Sequence, residues 1–119
     1  MTETSAWLLS DGRVLASAAI ASSRIDRRRG LRGANRYDGA FVLTRCRWVH
    51  TVGMRFDLDV AYLDREGRVI KTVRMARHRI GAPVIAACTV VESESGAFAR
   101  WGLRVGDVIE IRDNPGGPS

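Results

Sequence analysis

The chain has 119 residues, 45% of them apolar and 27% charged, the range of one globular domain with a single core and no room for a second. Its net charge is +6, and Lys71 is its only lysine, so the basic excess is carried by arginine. Charges interrupt every apolar run before it could cross a bilayer, and Asp11, Gly12 and Arg13 break the N-terminal stretch before a signal-type region forms, so the expectation is a cytoplasmic chain with no membrane partner.

Trp7–Ser10 and Arg13–Ala16 read as two strands joined by the Asp11-Gly12 turn, a pair that tolerates the positive φ of a tight hairpin. Ser23 and Asp26 have capping-box spacing, so a short helix is predicted to follow, stopped by Gly30 and Gly33. This segment is strongly basic: six arginines lie between Arg24 and Arg36 against the single acid Asp26. A charge run of this kind is either a solvated face or an anion-facing surface.

From Ala40 the texture is β. Phe41–Leu43 is one strand, and Asp57–Leu63 is another, with Leu58, Val60 and Tyr62 on one face. Asp64–Gly67 turns the chain into a partner strand, Arg68–Val73. Pro83 opens a long apolar run to Val91 that predicts a central strand. Ser93–Trp101 predicts a second short helix stopped by Gly102, and Val105-Gly106-Asp107 turns into a last strand, Val108–Ile111. Residues 1–112 therefore form the domain, and 113–119, rich in proline and glycine, are expected to be a disordered tail.

Three stretches in order resemble one bacterial and archaeal family, domain of unknown function 192. Arg29-Gly30-Leu31-Arg32 is similar to its R-G-L-M segment, with arginine in place of methionine. His50-Thr51-Val52-Gly53-Met54-Arg55-Phe56-Asp57-Leu58-Asp59-Val60 resembles its H-T-x-x-M-x-F-P-I-D-V signature, with Asp57 in place of proline. Gly96 to Asp107 is similar to its closing G-x-A-x-x-x-G-[IL]-x-x-G-D pattern. The resemblance implies an α+β fold, an antiparallel sheet curled towards a β-barrel with two short helices outside. It implies no activity.

The residues with chemistry to offer cluster in two loops. His50, Thr51, Met54, Arg55 and Asp59 fall within ten residues where a loop leads into a strand, the usual place for ligand contacts, with Trp48 as a stacking face. Arg77 and His78, with Arg74 and Arg79 beside them, form a second, basic loop before Gly81 and Pro83. The bland alternative for His50 and Asp59 is turn capping. Cys46 and Cys88 lie in no CxxC pair, and Cys46 is too far along an extended chain from His50 to form a nucleophile–base or metal pair. No Walker loop, dinucleotide fingerprint, H-E-x-x-H or G-x-S-x-G occurs, so no cofactor and no metal are expected.

These observations favour a non-enzymatic module that takes a small polar or anionic ligand, or a protein partner, at the two loops. One alternative is a hydrolase using Asp57 and Asp59 with His50, since carboxylates two apart on a regular strand share a face. Another is nucleic-acid binding through Arg24–Arg36, disfavoured because known motifs are absent and the aromatics are few.

Overall fold

Asp11 and Gly12 both take positive φ, 57° and 77°, which is what a two-residue turn between right-twisted strands requires. They join β1 (Glu3–Ser10) to β2 (Arg13–Ala21), paired antiparallel from Glu3↔Ala21 to Ser10↔Arg13 with a register shift at Leu8/Leu9. The predicted hairpin is therefore present, and both arms are longer than expected. The computed structural model of the protein describes residues 3–21 and 39–113. The basic helix predicted after Ser23 and nearly all of the predicted tail lie outside the described residues.

The remaining elements are β3 (Ala40–Thr44), β4 (Leu58–Leu63), β5 (Val69–Met75), β6 (Thr89–Glu94), the short helix α1 (Ala97–Trp101) and β7 (Ile109–Asp113). All seven strands belong to one sheet in the order β5-β4-β6-β3-β2-β1-β7. Its pairs are antiparallel except β2 with β3, which run parallel from Ala18↔Ala40 to Ala21↔Leu43. The all-antiparallel expectation is corrected at that pair, because two strands separated by a long connection need not reverse direction as a hairpin must. The sheet curls until its edge strands touch at one bridge, Arg68↔Val108, and it stays open beyond that point.

Two predicted elements are shorter than the sequence implied. The apolar run from Pro83 does not begin a strand; Val84–Ala87 is a turn closed by Ala87 N–H to Val84 O (3.0 Å), Ile85 is 75% exposed, and β6 starts only at Thr89. An unbroken apolar run carries no period, so the point where the chain enters the sheet was not readable from it. Likewise Ser93 and Glu94 belong to β6, and α1 begins after Gly96, whose φ of 98° ends the strand. Among the described residues α1 is the one α-helix.

The sheet buries both faces. Inside the curl, Leu8, Val42, Ala61, Leu63, Val91 and Ile109 pack with Phe98 of α1. On the outside, Phe41, Leu58, Val60, Tyr62 and Val90 are covered by Val49 and Met54 from one loop and Ala87 from another. This second layer explains why all six residues of β4 are buried, where Leu58, Val60 and Tyr62 alone were expected to face a core.

Two glycines test how tightly the turns are built. Gly102 ends α1 at φ 71°, and a Cβ there would meet nothing closer than an arginine side chain at 3.7 Å. Gly67 has φ 84°, and its Cβ would lie 2.7 Å from the Ile109 carbonyl oxygen, where the two sheet edges meet. Gly102→Ala should therefore cost about 1 kcal/mol, for the left-handed dihedral alone. Gly67→Ala should cost about 3 kcal/mol, because backbone must also move. Urea denaturation midpoints give the comparison, and equal losses would contradict the contact at Ile109.

Candidate functional site

The outer layer is made by two loops that pair with each other like an irregular ladder. Val84 N–H bonds to Arg47 O, Gly81 N–H to Val49 O and Thr51 N–H to Arg79 O, at 2.7–3.0 Å, with a bridge at His50↔Ile80. Val49 and Thr51 turn inward and are buried, while Trp48, Val52 and Ile80 are exposed. The Trp48 indole N–H donates to Gly81 O and its ring stands 5.5 Å from that of His50.

Thr51 is the centre of this arrangement and is fully buried. Its hydroxyl donates to Ala76 O (2.6 Å) and accepts the Arg79 N–H (2.8 Å), while its carbonyl accepts the N–H groups of Met54 (3.0 Å) and His78 (2.9 Å). One residue, through its hydroxyl and its carbonyl, thus satisfies turn backbone in both loops at once, which buried polar groups require.

The predicted site residues divide by environment. Thr51, Met54 and Asp59 are buried, and His50, Arg55, Arg77 and His78 lie at or near the surface. Met54 packs in the outer core. The two histidines sit on the same turn: Val52 N–H donates to Nδ1 of His50 and Gly53 N–H to Nδ1 of His78, each at 3.3 Å. Each ring nitrogen that accepts is unprotonated, which leaves Nε2 as the outward N–H donor in the neutral rings.

Asp59 and Asp57 do not form a pair. Asp57 precedes β4, is about half exposed, and receives the Arg77 N–H (3.0 Å) with the Arg77 guanidinium at 3.7 Å. Asp59 is 4% exposed; its Oδ2 accepts Gly96 N–H (2.9 Å) and Phe98 N–H (3.1 Å), and its Oδ1 accepts Arg74 Nε–H (3.2 Å). Those amides open α1 and have no partner within so short a helix, so the carboxylate supplies their acceptor from a neighbouring strand. Asp57 lies outside the strand, so the pleat does not align it with Asp59 as expected.

A cleft of about 360 Å³ lies between β5 and the loop Ala76–Ala82. Lys71, Arg74 and Arg79 edge it over an apolar floor of Tyr62, Val73 and Met75, and no acidic side chain lines it. Lys71 and Tyr62 were not singled out as ligand contacts from the sequence, and Arg74, expected in the basic loop, stands in β5.

A profile of the family "Uncharacterized ACR", domain of unknown function 192, matches residues 6–111. The chain belongs to this family. No curated protein matches it significantly. The DUF192 chain is similar in fold to a protein of unknown function from Novosphingobium aromaticivorans DSM 12444, with 15% identity and a TM-score of 0.76 over 91% of this chain and 84% of that one. It is also similar to a "putative transcription regulator" from Sinorhizobium meliloti 1021, with 19% identity and a TM-score of 0.74 over 92% of this chain and 93% of that one. At these identities the likeness shows the fold alone.

In this DUF192 chain the H-T-x-x-M stretch builds the outer layer and the I-D-V stretch, here Leu58-Asp59-Val60, links sheet to helix. The sheet face that forms the cleft floor also carries a buried acid. Glu92 of β6 pairs across to Val60 and Phe41, is 4% exposed, and its Oε1 has no hydrogen-bond partner. Burial pushes its carboxyl up to about 8. Burial also raises the Tyr62 phenol, with smaller contributions from Cys46 and Glu92.

Between the ordinary carboxyl range and about pH 8, folded Glu92 holds a proton that the unfolded chain has released. Its contribution is full in acid and is lost as pH rises through that window. Stability should therefore fall from about pH 5 to about pH 8, and Glu92→Gln should flatten the slope and be the more stable protein at the alkaline end. Urea titrations at stepped pH measure this, and parallel profiles for both proteins would contradict it.

Proposed function

We propose that this protein is a non-enzymatic module that binds a small anionic ligand in the cleft between β5 and the Ala76–Ala82 loop. The observation that carries the reading is that Lys71 and Arg79 edge an apolar floor with no acid among the lining residues. Lys71 and Arg79 form no ion pair with a described residue, so their charge is available to a ligand. Cations beside an apolar floor suit a carboxylate or phosphate attached to a hydrocarbon part. His50, Thr51 and His78 support the loop that carries Arg79, so the motif loop acts through position more than through contact.

Hydrolysis by Asp57 and Asp59 is the weaker reading, because Asp59 is committed to the α1 amides and Asp57 to Arg77. Nucleic-acid binding rests on Arg24–Arg36, outside the described residues.

Calorimetric titration with citrate, phosphate and glutarate at low salt tests the proposal. Binding should weaken as salt rises, and Lys71→Ala with Arg79→Ala together should weaken it by about tenfold or more. No heat from any of the three anions, or undiminished binding by the double variant, would overturn it.

A further inference from the structure

The cleft belongs to a longer feature, the free edge of β5. β4 pairs with β5 along one side from Leu58↔Met75 to Leu63↔Val69. On the other side only the beginning of the strand is covered: Val69 N–H bonds to Asp107 O and Gly106 N–H to Val69 O, both at 2.8 Å. Beyond that point, no described residue bonds to the outer side of Ile70–Met75. In a β-strand paired on one side, every second residue turns its N–H and C=O to the open side.

This edge lies between two clefts. The basic cleft of about 360 Å³ opens on the face of Lys71, Val73 and Met75. A second, of about 310 Å³, opens on the face of Thr72 and Arg74, against Phe98 and Ala99 of α1. An extended peptide added to an edge sends alternate side chains to the two faces of the sheet, so each set would meet one cleft.

Charge decides the occupant. Lys71 and Arg74 are exposed on the edge, and Arg79 overhangs it. β5 carries a lysine and an arginine and no acid, so a second copy laid against it would add positive charge to a positive edge, the repulsion by which edge strands resist self-pairing. We propose that β5 is a docking edge for an extended acidic segment of a partner protein, added as an eighth strand, with its carboxylates towards Lys71 and Arg79 and its alternate side chains towards α1. This rests on the anion-binding reading of the cleft and names the source of the anion as a side chain of a partner.

The test uses fluorescence polarisation with the full chain and a labelled octapeptide alternating glutamate and valine. The peptide should bind more tightly than free glutarate competes. N-methylation at one alternate set of its amides should cost about tenfold or more, and at the other set little, because only one set faces β5. Lys71→Glu with Arg79→Glu should lose the acidic peptide and gain a lysine–valine counterpart. Equal effects of both N-methylated sets would overturn strand addition, and this result needs no variant to fold. Glutarate binding with no peptide binding would overturn the docking edge and leave the anion site standing, whereas failure of both ligands would overturn both. Concentration-dependent dimerisation through β5 would show the occupant to be a second copy and would also overturn it.

Discussion

The hydroxyl and backbone of Thr51 hold together the two loops that cover the outer face of the sheet. The curled sheet could fill its inner face from its own strands and α1, but its outer face over β3, β4 and β6 is covered by irregular chain. Irregular chain buries backbone groups that have no ladder to satisfy them, and each would otherwise cost on the order of 1–3 kcal/mol. Thr51 meets that demand for both loops at once, through Ala76 O, Arg79 N–H, Met54 N–H and His78 N–H. With the loops joined there, Arg79 and Ile80 are held over the edge of β5 and the cleft has its second wall.

Asp59 plays the corresponding part on the inner side. It is buried in β4, between the outer layer and α1, and gives two amides at the start of that helix an acceptor while holding Arg74. Two residues of the same sequence signature thus fix the structures on opposite faces of one sheet, and β5 lies between them. Glu92 differs, since burial without a partner keeps it protonated and makes it a cost to the fold once it ionises.

Much of the fold was legible because its turns carry strong local chemistry. Asp11-Gly12 and Asp64–Gly67 located two hairpins, and Gly102 located the end of α1. The start of β6 was not, because Pro83–Val91 is apolar throughout and a turn inside it leaves no periodic trace. The candidate site was legible as a neighbourhood and not as a set of contacts. Thr51 and Asp59 stand in a polar cluster that reads as ligand-facing, yet their partners, at Ala76, Arg79, Gly96 and Phe98, are at least 25 positions away in the chain. Lys71 gave no signal because its place at the cleft comes from β5 being an edge, and strand order is a property of the whole sheet.

Strand addition at β5 requires that edge to be open in the free protein, and amide hydrogen exchange measured residue by residue along Ile70–Met75 tests this directly. The expected result is alternation: amides bonded to β4 exchange as slowly as the core, and those between them exchange fast. Uniform slow exchange along the whole strand would show that both sides of β5 are already paired, and would contradict an open edge.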